Sequence, residues 1–284
     1  MQFNRSSAEI FIPDGSDSKE ALSRTTHMAF SAHQDDIEIM AIEGVLQCFQ
    51  KNDQWFTGVV VTDGRGSPRA GDYQNYTDDD MRLVRFAEQK KAAFVGEYAA
   101  QVLLDHPSKV VKNQADPAPT EDIVQLLKIA RPRVVYTHNL ADKHDTHVAT
   151  ALRVIAAIRQ LPPAERPQRV TGCEVWRNLD WVQDDEKVIM DTSAHENLQN
   201  ALIGVFDSQI VGGKSYDQAT MGRRKANATY LASHATDALT SAILGMDLTP
   251  LIQDTDLDIT TYILGYIQRF ASDVQTRLQQ FTGK

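Results

Sequence analysis

The chain reads as an α/β protein, a Rossmann-like, mostly parallel sheet with helices on both faces and a helical C-terminal extension. Short apolar runs alternate with longer segments whose apolar residues recur at helical spacing, which is the pattern of βαβ units. No internal repeat or low-complexity stretch interrupts that alternation. At 284 residues the chain is long enough to bury roughly 75% of the surface it exposes when unfolded, so one large domain with additions is expected.

The elements follow in order. A first strand is expected at residues 27–32, then a helix over about 36–50 whose Ile42, Val45, Leu46 and Phe49 share a face. Residues 56–62 form a buried second strand. A polar, glycine-containing stretch, 63–80, leads into a helix through about residue 94, with Gly96 as its C-cap. A short third strand lies around 101–104. The proline-rich run from Asp116 to Thr120 opens a helix through residue 130, and the fourth strand is 133–137. The helix over 145–160 aligns Val148, Ala151, Leu152, Ile155 and Ile158, and Pro162 and Pro163 stop it. A fifth strand covers 170–176. Beyond residue 191 the pattern is mostly helical, at 195–206, 218–233 and 258–281. The expected organisation is an N-terminal extension at 1–26, a Rossmann-like catalytic core at 27–190 and a helical part of the same domain at 191–284. The N-terminal extension and the final helix are expected to cover the sheet edge or to make a subunit contact, so a homo-oligomer is allowed.

Composition narrows the partners. Lys and Arg number 29 against 38 Asp and Glu, a formal charge of −9, and no basic cluster offers a surface for phosphate backbones. Nucleic acid is therefore not an expected partner. No apolar run approaches the roughly 18 residues of a membrane span, and residues 1–13 hold no continuous apolar region of an export signal. The cytoplasm is the default. Cys48 and Cys173 are too few for a disulfide framework and are expected to be buried thiols of a reducing compartment.

Two local clusters carry chemistry. His33, Gln34, Asp35 and Asp36 directly follow the first strand, and Asp142, Lys143, His144, Asp145, Thr146 and His147 directly follow the fourth. Ionisable groups at the carboxyl ends of parallel strands are poorly explained by packing. In the common doubly wound order 3-2-1-4-5, strands one and four are neighbours and the crevice outside their ends is where ligands bind. Two imidazoles and a carboxylate with a fourth position left to water is the donor set of a catalytic zinc site. The bland alternative is a pair of independent, solvated helix starts. His27, His106, His138, His195 and His234 stand alone and are expected to be satisfied in the core or at the surface. The Gly64 to Gly71 stretch follows the second strand, has no helix opening on it, and suits a mobile loop at the mouth of a site better than a dinucleotide loop. Its Arg65 and Arg69 are expected to be solvated. Trp176 closes the fifth strand and Arg177 and Trp181 follow it, at the end where a pocket belongs, as sugar platforms or as interface packing.

The two clusters resemble the paired motifs of the PIG-L/LmbE-like family of zinc-dependent N-acetylglucosaminyl deacetylases, and the resemblance spans about residues 27–215. It implies that His33, Asp36 and His147 are zinc ligands, that Asp35 is the general base, and that His144 stabilises the oxyanion or assists the leaving amine. Arg85 resembles the arginine that contacts substrate, and Asp207 to Gln209 resembles a late stretch of the family domain. Gln34 replaces the usual proline, which is expected to loosen the turn, and Thr146 replaces the usual aspartate, leaving Asp142 or Asp145 to orient His144. The implied function is removal of an acetyl group from an N-acetylated amino sugar or related conjugate by a zinc-activated water, with another divalent transition metal such as Fe²⁺ in place of Zn²⁺ as a variant. The alternatives are an amidase for a non-sugar acetamide and a non-catalytic metal-binding protein of the same fold. A nucleotide-binding module is disfavoured, since no glycine-rich phosphate loop follows the first strand.

Overall fold

A computed structural model describes residues 1–283 of the chain. The elements are β1 (Glu9–Phe11), α1 (Ser18–Ser23), β2 (His27–Ser31), α2 (Asp36–Met40), α3 (Ile42–Cys48), β3 (Phe56–Thr62), α4 (Asp78–Val95) and β4 (Ala100–His106). There follow α5 (Ser108–Lys112), α6 (Ala118–Ala130), β5 (Val134–His138), α7 (Asp145–Arg159), β6 (Arg169–Cys173) and β7 (Lys187–Asp191). The chain ends with α8 (Glu196–Gly204), α9 (Asp207–Ile210), α10 (Tyr216–Thr229), β8 (Ala242–Asp247), α11 (Thr249–Gln253) and α12 (Ile259–Thr282).

All eight strands form one sheet in the order β1-β4-β3-β2-β5-β6-β8-β7. The five strands expected from the sequence are the parallel centre, β4-β3-β2-β5-β6, in the doubly wound order. β1, β8 and β7 pair antiparallel at the edges. Alternation along the strands builds two cores. Met28 and Phe30 of β2, with Val59 and Val61 of β3, face a layer that includes α1, α6, α7, α11 and the start of α12. Ala29 and Val60 face α2, α3, α4 and α8 on the other side. Cys48 and Cys173 are buried and free.

Three expectations need correcting. β8 is a strand in the middle of the stretch read as mostly helical, and it is hydrogen-bonded to both β6 and β7. Its short apolar run carries no strand signature until β6 and β7 lie on either side. The helix expected over 36–50 is broken at Ala41, where φ is −111° and ψ is 18°. There the Arg224 guanidinium donates to the carbonyls of Glu38 and Ile39 at 2.6 and 3.2 Å, taking the acceptors that a continuous helix would use. The 170–176 strand ends at Cys173, so Trp176 lies in the loop beyond it.

Candidate metal centre and cavity

β2 and β5 are paired side by side, and the chain order reverses at β2, so their carboxyl ends flank the switch point. The turn after β2 holds Asp35 at φ 83°, in the left-handed region. Gln34 holds this turn firmly and does not loosen it. Its side chain is fully buried, its Nε2 donates to the Thr62 carbonyl at the end of β3 at 3.3 Å, and its own carbonyl accepts from Arg85. Gly64, at φ 70°, passes so close to the Gln34 amide that a Cβ would collide with it.

Three donor atoms converge from the two clusters. His33 Nδ1 lies 3.2 Å from His147 Nε2, and each lies 3.3 Å from Asp36 Oδ2. A tetrahedral ion with bonds of about 2.0–2.1 Å requires ligand atoms about 3.3–3.4 Å apart, so this triangle has the dimensions of one face of such a site. His147 Nδ1 donates to Asp142 Oδ2 at 3.4 Å, an arrangement that would fix the ring if it held a metal. The residues therefore fit a divalent ion. Asp142 turns to the His147 ring and meets His144 only through its backbone N–H, at 3.1 Å, so it does not orient the His144 imidazole. The His144 Nδ1 is buried without a partner.

His138, expected to stand alone, belongs to this cluster. It is the last residue of β5, is fully buried, stacks on His147 at 3.8 Å between ring centroids, and lies 3.5 Å from Asp36 Oδ2. Its Nε2 accepts the Ala32 N–H at 2.8 Å, so that lone pair is already engaged. Groupings of possible ligands also include His33 with His144 and His147, and Asp36 with His138 and His147. The mutual spacing and the engaged His138 nitrogen favour His33, Asp36 and His147. A histidine closing the strand that precedes a histidine cluster was the signal available for His138.

Burial and mutual charge set the acidities at this centre. Burial resists ionisation at both partners, yet His147 is held up at about 9 by the Asp36 and Asp142 carboxylates. Asp36, against the same burial, is held well below the usual carboxylate range by His147 and His138. Next door, burial pushes Asp35 up to about 7, with Arg85 opposing and Asp36 reinforcing. Burial, then His147 and His33, lower His144 to about 4.

A cavity of about 370 Å³ opens on the centre, lined by His33, Asp35, Asp36, Arg85, His144, Thr146 and Trp176 among others. That volume is within the usual range for small-molecule sites. Gly64, Gly66, Ser67 and Pro68 form part of its wall, as expected of the loop after the second strand. Arg65 and Arg69 of that loop pair with Asp63, Asp79 and Asp78. Ser108, Gln209, Lys214 and Tyr216 complete the wall, and the last two carry no local motif that marked them beforehand. A smaller cavity of about 120 Å³ shares Asp36, Trp176 and Tyr216 with it. Arg85 is buried, donates to Gln34 and stands 3.3 Å from Asp35, whereas Glu88 turns away to Ser208. Their spacing on α4 therefore does not produce the surface ion pair it allows. Trp181 packs on Phe270 of α12, away from the cavity.

With this geometry in hand, relatives can be placed. Residues 28–158 match the PIG-L family model, GlcNAc-PI de-N-acetylase, so the chain is PIG-L-like over that segment, as the paired motifs suggested. No curated protein sequence matches. Among solved structures, N,N'-diacetylchitobiose deacetylase from Pyrococcus horikoshii superposes with a TM-score of 0.63 at 13% identity, covering 81% of this chain and 86% of its own. The conserved protein TT1542 from Thermus thermophilus gives 0.61 at 18%, covering 80% and 96%. GalB, the 4-carboxy-2-hydroxymuconate hydratase from Pseudomonas putida, gives 0.58 at 14%, covering 80% and 97%. These likenesses show that the chain shares their α/β fold.

Proposed function

We propose that this chain is a divalent-metal-dependent N-deacetylase, removing an acetyl group from an N-acetylated amino sugar or a conjugate of one. The observation that carries the reading is the triangle of His33, Asp36 and His147 donors at the mouth of a substrate-sized cavity, within a segment that matches a de-N-acetylase family. His33, Asp36 and His147 would hold Zn²⁺ or another divalent ion such as Fe²⁺. When bound, such an ion supplies Lewis acidity and brings the pKa of water from about 15.7 toward 7.

The protein's own groups do the remaining work. Asp35 lines the cavity beside Arg85, and its backbone N–H is anchored on Gln89 at 3.2 Å. As general base, Asp35 takes the proton of the attacking water. His144, on the facing wall, offers a hydrogen bond to the amide oxygen as negative charge develops there. The leaving nitrogen receives its proton from Asp35 or His144. Arg85 holds Asp35 in place and, with its Nε unpartnered, retains a donor for substrate. Trp176, stacked at 6.4 Å from His144, offers an aromatic face of the kind that packs on sugar rings. The two free thiols suit a reducing compartment such as the cytoplasm.

The test is primary-amine release across a panel of N-acetylated sugars and simple acetamides, with and without chelator. Release from at least one sugar, lost on chelation and restored by a divalent ion, is expected. Bound metal with no amine release from any acetylated compound would point instead to a binding protein.

A further inference from the structure

We propose that α12 is a dimerisation helix, whose exposed apolar stripe docks on the same stripe of a second copy of this chain. Ile263 and Tyr266 bury the first part of the helix against the sheet domain. Up to Phe270 the helix still meets the loop after β6, through Trp181 and the Arg269–Glu186 pair, whereas from Ala271 to Thr282 every residue is exposed except Asp273, which is half-buried, so about 18 Å of helix runs clear of the domain at 1.5 Å per residue. Along it lies a second stripe, rotated from the buried face. Leu264, Ile267, Val274 and Leu278 are 45%, 43%, 40% and 60% exposed, and Phe281 is 82% exposed. With the exposed Ala271 they are spaced 3, 4, 3, 4 and 3 residues apart, the a and d positions of successive heptads.

The spacing selects the occupant. A stripe repeating every 3.5 residues keeps in register only with another helix, and an isolated helical overhang has little stability of its own. A membrane surface would call for a rim of Lys and Arg. Here the flanks carry Gln268, Gln275, Gln279 and Gln280, and the three charged residues, Arg269, Asp273 and Arg277, include one internal pair at 2.9 Å. Like-charge repulsion between copies is therefore small. The stripe is also self-complementary. About a two-fold axis between Ala271 and Val274, an antiparallel pair brings the bulky ends Leu264 and Phe281 together and packs the small centre on itself, as an isologous contact requires. Complete coverage of these exposed side chains would bury roughly 600 Å² per copy, ~1,200 Å² in a dimer, the low end for specific interfaces, so the dimer is expected to depend on concentration.

The experiment measures the mass of the full chain by sedimentation over a wide concentration range. A dimer of the 31.7 kDa chain is expected. Leu278→Asp is expected to weaken it at least tenfold. Ala271→Cys is expected to crosslink copies under mild oxidation, and Thr276→Cys, on the opposite side of the helix, is not. The native thiols are buried and do not compete. A chain that stays monomeric at every concentration, a dimer indifferent to Leu278→Asp, or equal crosslinking at both positions overturns the proposal.

Discussion

Asp35 and Asp36 are adjacent and both buried, and their surroundings move their acidities in opposite directions. Asp36 faces His147 and His138, which hold it low against the cost of burial, while burial raises Asp35, with Arg85 and His147 opposing and Asp36 and Glu88 reinforcing. One suits a ligand and the other a group that exchanges protons. Asp35→Asn is expected to retain bound metal and to lose at least about a hundredfold in turnover, the scale of a general acid–base group, as steady-state amine release with metal analysis would show. That His33, Asp36 and His147 come together was legible in the sequence because each sits in a dense cluster at a strand end. His138 was not, since its role depends on the side-by-side pairing of β2 and β5, which brings the Ala32 N–H to its ring. A residue remote from the site gives a pH signature. Burial, then Arg169 and Arg133, lower His27 to about 4. Between pH 6.5 and 4 His27 binds more protons in the unfolded chain than in the folded one, so its contribution to stability is fully present above pH 6.5 and falls as pH drops through that window. The loss should be on the order of 3 kcal/mol, and His27→Gln should flatten the dependence of the urea midpoint on pH across it.

At the scale of elements, the parallel strands and their helices follow from periodicity, whereas the edges do not. β1 has only three residues, and β7 and β8 lie outside the regular alternation of strands and helices and pair antiparallel, so their place in the sheet is set by the neighbours that receive them. The break between α2 and α3 has the same origin. It depends on Arg224, far away in the chain, which is buried and donates to two carbonyls and to Gln199 at 2.8 Å. Burial lowers that guanidinium to about 9, so its charge is tolerated only for the hydrogen bonds it makes. Arg224→Met should leave those acceptors unpaired and cost about 2 kcal/mol in urea denaturation. Because α2 begins with Asp36, metal affinity should fall as well. An unchanged unfolding midpoint would mean that the break does not depend on Arg224. A local cap provides a smaller effect. Thr77 accepts from the Asp80 N–H while Asp80 accepts from the Thr77 N–H, and Thr77→Ala should cost α4 about 1 kcal/mol in the same assay.

Across the whole molecule, the sheet order accounts for the location of the site. The loops after β2, β3, β4, β5 and β6 all reach the cavity, through His33, Gly64, Ser108, His144 and Trp176, as an open α/β sheet with one reversal of strand order dictates. The acidic balance of the chain acquires a local meaning there. Asp35, Asp36 and Asp142 lie within or against the centre, and a bound cation would offset their mutual repulsion. Binding to the folded state alone should therefore raise the melting temperature with metal concentration, and His33→Ala should abolish that shift. The most direct test of the central claim is titration of the metal-stripped protein with Zn²⁺ or Fe²⁺, following bound ion and amine release from an N-acetylated sugar together. Activity should rise in step with occupancy and saturate at one ion per chain, and His147→Ala should neither bind nor turn over. Full activity in the stripped protein, or wild-type binding in His147→Ala, would contradict it.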